Sequence, residues 1–177
     1  MLTVFGAEGL VDDVDDFLRK IGDFSTKHRV VIQVFNADLV YGRNHVFSAA
    51  EHALRAFREG ANSMRSLAME TVLYAAGERQ IGVALSKMGV EKSEESRCVF
   101  LVISSIPDFK EANGFFNPED LDSLIGLLGL KRDDSVLEGN EDTLRRFGLS
   151  DEEIRTVEKD KYEDLILEKV AMVDVIK

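Results

Sequence analysis

Four groups of residues have types and spacings that could do chemistry. Asp12, Asp13, Asp15 and Asp16 crowd the start of a predicted helix and suggest a cation site, but acidic residues in a first helical turn also favour the helix dipole, and the calcium-loop spacing is missing. His45 and His52 stand seven apart on one predicted helix and could share a face, yet no third ligand has matching spacing, so they read as surface histidines rather than a zinc site. Cys98 lies in the apolar run RCVFLVISS and reads as a buried, inert thiol. The fourth group is AAGERQIGVALSKMGV, Ala75 to Val90, a short amphipathic helix that has Gly77 at its start, Gly82 inside it, and Arg79 and Gln80 in its first turn. Glycine inside a helix costs up to about 1 kcal/mol relative to alanine, so its presence raises the question of what approaches the backbone. A plain structural reading stands beside it: Ile81 in the core, Gly82 packed on another helix, Arg79 paired with Glu78 or Glu70.

No phosphate loop, dinucleotide fingerprint, nucleophile elbow or HExxH motif occurs, and the carboxylates cluster on helix faces rather than as a cleft pair. The expectation is a protein that is not an enzyme and carries no cofactor and no metal. With 177 residues, 45% apolar and 31% charged, the chain fits one soluble α/β-type domain spanning 1–177. It shows neither a membrane-spanning run nor a signal peptide, so a cytoplasmic location is expected. The net charge of −11 argues against general attraction to nucleic acid. That charge is uneven: Arg43 to Lys87 holds six basic against four acidic residues, a net of +2, so the remainder carries −13. Such a segment could hold a few phosphates without binding duplexes indiscriminately.

The elements that must position these residues follow from periodicity. Leu2–Phe5 and Val30–Ala37 read as strands, with a helix between them carrying Val11, Val14, Leu18 and Ile21 at helical spacing. Two helices follow, separated by a stop and a new cap at Gly60, Asn62 and Ser63. Phe47, Ala50, Leu54 and Phe57 line the first, and Met64, Leu67, Ala68, Val72 and Ala75 the second. The Arg79 helix comes third, with Ile81, Ala84, Leu85 and Met88 as its apolar positions and Gly89 as its end. Cys98–Ser104 is apolar on both faces, which predicts a central strand covered on both sides. Asn117-Pro118 starts a helix that Gly129 ends, Ser150 with Glu153 caps another, and AMVDVI near the C-terminus reads as a last strand. The fold class expected is α+β or mixed α/β, a single domain with about four strands in a central sheet flanked by helices.

The block from His45 to Val90 resembles the small kinase-binding subunit of the KEOPS complex, the PRPK-binding protein family. The features that carry the resemblance are Arg55-Ala56-Phe57 before Gly60, Ser66-Leu67 with Glu70, the hinge at Gly77, Arg79-Gln80-Ile81, and Lys87-Met88-Gly89-Val90. The resemblance implies a non-catalytic subunit of the machinery that makes threonylcarbamoyladenosine at tRNA position 37. It implies a kinase/ATPase subunit as direct partner, indirect association with the threonylcarbamoyl-transferring subunit, and help in recruiting tRNA through its single-stranded 3′ CCA end. On that reading a helix start at Gly77 and Glu78 presents backbone N–H groups, Arg79 meets phosphate or stacks on a base, and Gln80 reads an edge. Ile81 walls the terminal adenine and Gly82 admits it. The kinase-facing residues are expected to be Leu165, Leu167 and Met172, since partner surfaces need an apolar patch with a polar rim. The alternative is a small-ligand-binding domain or enzyme using a pocket at the start of the Arg79 helix.

Overall fold

The computed structural model describes residues 1–177. A four-stranded antiparallel sheet carries helices on both faces. Its strands are β1 (Leu2–Val11), β2 (Val31–Asn36), β3 (Ser93–Ile103) and the two-residue β4 (Lys131–Arg132), in the order β2-β3-β1-β4. The helices are α1 (Val14–His28), α2 (Gly42–Glu59), α3 (Leu67–Ala76), α4 (Ile81–Met88), α5 (Pro118–Leu128), α6 (Glu141–Phe147), α7 (Asp151–Arg155) and α8 (Tyr162–Ile176).

Side chains alternate across a strand, and β3 shows what that does when both faces are covered. Val99, Leu101 and Ile103 join the larger core, against α2, α3, α6 and α8. Cys98, Phe100 and Val102 join the smaller one, against Phe17, Ile21 and Phe24 of α1 and Leu121, Leu124 and Leu128 of α5. Phe5 of β1 stacks on Phe100 with ring centroids 5.0 Å apart. The expected central strand is therefore central, between β2 and β1.

Three expectations need correction. AMVDVI is the end of helix α8, because Leu165, Ile166, Val170 and Val173 turn one continuous helical face into the core. The fourth strand is Lys131–Arg132 instead, two charged residues held by pairing with Ala7 and Glu8. β1 also runs six residues beyond Phe5, through Gly6 and Gly9 to Val11. At Gly6 a side chain would stand 2.4 Å from the Asp133 carbonyl oxygen, so the strand needs glycine there to let the chain after β4 pass. The acidic start of α1 is structural: Asp13 caps it through the Asp16 N–H, and Asp16 pairs with Arg19 and Lys20. Cys98 is buried, and burial pushes its thiol up to about 12.

Candidate functional site: the elbow between α3 and α4

The helix α3 begins with Ser66, whose hydroxyl accepts from the Met69 N–H, not at Asn62 or Ser63. Met64 lies in the preceding loop, which Glu70 holds by accepting from the Ser63 and Met64 N–H groups at 2.9 and 2.7 Å. The helix ends at Gly77, whose φ of +66° is left-handed backbone that favours glycine. This changes the expected chemistry at the turn. The Gly77 N–H bonds back to Leu73 and Tyr74, and the Glu78 N–H to Leu73, so neither is free for a ligand. The free donors lie one step later, in the first turn of α4, where Gln80 is the cap residue and supplies no side-chain bond.

Arg79, Gln80 and Gly82 are exposed and Ile81 is half-buried against the larger core. Arg79 forms no ion pair with Glu78 or Glu70; those carboxylates go to Lys87 and Lys177. A side chain added at Gly82 would meet nothing within 4 Å, so helix packing does not explain this glycine. Val83 and Leu85 are also exposed, 47% and 41%, and extend an apolar surface beside the turn that the periodicity of the sequence assigned in part to the core.

Beneath this surface the elbow is fixed by two buried groups. His45 is fully buried, contrary to the surface reading. Its Nδ1 accepts the Tyr41 N–H at 3.0 Å, so Nε2 carries the proton and donates to the Ala75 carbonyl at 2.8 Å. Burial pushes the His45 pKa down to about 4, which keeps the ring neutral. Lys87 donates to the Ala76 carbonyl at 2.7 Å and its ammonium sits 3.7 Å from the centre of the Phe147 ring. Burial lowers its pKa, opposed by Glu78. Both groups bind the last carbonyls of α3, which no helix bond satisfies. Neither spacing nor residue type reveals this role in the sequence.

The second surface is the outer face of α8. Leu165 is 9% exposed and belongs to the core, so it offers a partner little area, and Leu167 is half-buried. Met172 is 43% exposed, and Val175 and Ile176, which the expected strand had hidden, join it at helical spacing, 73% and 41% exposed. The opposite face is locked down: Asp174 accepts from the Tyr74 hydroxyl at 2.6 Å and pairs with His52 and Arg55 of α2. His52 thus lies against Asp174 and Arg55, its Nδ1 2.8 Å from the Asp174 carboxylate. The elbow and α8 touch, since a side chain at Gly77 would lie 3.5 Å from Lys169.

No group of three or more His, Cys, Asp or Glu is placed to hold a metal ion, and no helix is long and apolar enough to cross a membrane. The well-formed grooves lie away from the elbow, between α1, β2 and α3 and beside the loop after β3. Together, the fold and these surfaces define an α+β domain with a polar elbow and an apolar stripe on its last helix. Residues 11–174 match the family model described as kinase binding protein CGI-121, and the chain belongs to that family. Among curated proteins, no match is found.

Proposed function

We propose that this protein is a non-catalytic, kinase-binding subunit of the KEOPS complex in tRNA threonylcarbamoyladenosine biosynthesis. It binds the kinase/ATPase subunit directly, meets the threonylcarbamoyl-transferring subunit only through the complex, and helps recruit tRNA by its 3′ CCA end. Membership of the kinase-binding family supports the first partner. The observation that carries the RNA role is the first turn of α4: free N–H groups, an unpaired Arg79, exposed Gln80, half-buried Ile81 and an open Gly82.

The turn suits a single-stranded end because its contacts are few and local: a cation for phosphate, an amide for a base edge, an apolar wall for a ring. An acidic protein can bind such an end where a duplex would be repelled. The kinase is assigned to Met172, Val175 and Ile176, flanked by Leu167, an apolar stripe with the charged Glu168 beside it. The test is a pulldown with the kinase subunit together with tRNA binding, for Met172→Glu and Ile81→Glu. Loss of kinase alone in the first and of tRNA alone in the second supports the reading; a variant chain that keeps both partners contradicts the corresponding assignment.

A further inference from the structure

In a chain with 33 Asp and Glu against 22 Lys and Arg, most basic side chains have a carboxylate partner, as Arg19, Arg145 and Arg146 do. Arg29, Arg65 and Lys110 have none, and all three are exposed. They come from distant parts of the sequence, yet the fold brings them to two adjoining grooves. One, of about 590 Å³, runs along β2 between α1 and α3 and is lined by Arg29, Ser25, Thr26, Ser66 and Lys110. The other, of about 620 Å³, is lined by Phe57, Arg58, Arg65, Phe109 and Lys110. They meet at Lys110 and Glu111, which line both.

The outer groove has a fixed floor. Phe57 and Phe109 pack edge to face with centroids 6.0 Å apart, and the Arg58 guanidinium lies over Phe109 at 5.8 Å. Two carboxylates stand in the trough. Asp108 is 3.8 Å from Arg58, and Glu111 accepts the Leu67 N–H at 3.4 Å. Four cations against two anions leave the trough positive on a protein whose net charge is −11.

We infer that this trough holds the phosphate backbone of RNA, a second contact for the tRNA whose 3′ end the proposed function assigns to the elbow. The inference rests on that reading for its ligand. Separate point charges spread along an open groove match a polyanion with regularly repeated charges, and phosphate contacts of this kind position RNA without reading its sequence. An acidic peptide would need a row of apolar sockets as well, and the outer groove offers only Phe57 and Phe109, whose rings face each other and Arg58. The two basic places stand at opposite ends of α3: Arg65 precedes it and Arg79 follows it. The helix between them is ten residues, about 15 Å long, a span that one RNA can bridge.

The experiment is a mobility-shift titration of the full chain with intact tRNA and with tRNA lacking CCA, at several salt concentrations, comparing wild type, the double variant Arg65→Ala with Lys110→Ala, and Ile81→Glu. The double variant is expected to bind both RNAs about tenfold more weakly and to lose about two phosphate contacts' worth of salt dependence, while Arg65→Lys with Lys110→Arg restores both. If wild type binds the two RNAs equally and the double variant still weakens both, the trough stands and the elbow assignment falls. Unchanged affinity and salt slope in the double variant overturns the trough, as does absence of RNA binding by wild type or a defect confined to kinase capture.

Discussion

The elbow between α3 and α4 and the outer face of α8 are neighbours built on opposite plans. At the elbow, polar groups that never reach solvent, His45 and the inner end of Lys87, hold the last carbonyls of α3, and the exposed tip is left without partners. On α8 the polar groups are on the inner side, Asp174 to Tyr74, His52 and Arg55, and what faces outward is apolar. The difference teaches what each can bind. A rigid turn with spare donors can recognise a small polar end, whereas an apolar stripe must bury area against a partner of similar shape.

Substitutions can break this contrast, and the largest effect belongs to the core. Leu165→Ala should destabilise the fold by about 2–5 kcal/mol, read by chemical denaturation, because Leu165 is a buried side chain of the larger core. Acid titration of His45 comes next. Its folded pKa of about 4 lies below the ordinary 6.5, so the unfolded chain binds the extra proton and stability falls as pH drops from about 6.5 toward 4. The loss should amount to about 3 kcal/mol at most, and His45→Gln should flatten the pH dependence of melting in that window. On the exposed faces, Met172→Glu should weaken kinase capture at least tenfold, about 1.4 kcal/mol, with melting unchanged. The smallest change is the sharpest. Gly82→Ala should leave the fold as stable or raise it by up to about 1 kcal/mol, since alanine favours helix and meets no neighbour, yet weaken tRNA binding. Stabilisation with full tRNA affinity would show that nothing approaches that backbone.

Much of the frame was legible because its signals are local. Apolar runs marked β2 and β3, Asn117-Pro118 and Gly129 bounded α5, and Gly60 ended α2, each by a mechanism that acts within a few residues. The misread parts depend on distant partners. AMVDVI is too short to show its period, and only Val170 about one turn before Val173 and Leu165 and Ile166 about two turns before it reveal the helix. Lys131–Arg132 carries no apolar pattern, and the close approach of the chain at Asp133 to Gly6 leaves no local mark in the sequence. At the elbow, the exposed Arg79, Gln80 and Gly82 lie in the stretch that Gly77 and the polar pair single out, but the donors shifted from Gly77 and Glu78 to α4 because Gly77 closes α3. His45 and Lys87 were invisible as supports, since neither spacing nor type announces which carbonyl a buried side chain will meet.

The central claim is that the first turn of α4 receives the CCA end of tRNA, and a mobility-shift titration with intact tRNA and with the same tRNA lacking CCA, at one moderate salt concentration, tests it most directly. The account predicts at least tenfold tighter binding to intact tRNA, a preference that Ile81→Glu erases without loss of cooperative melting. Equal affinity of the wild-type protein for the two RNAs would contradict it.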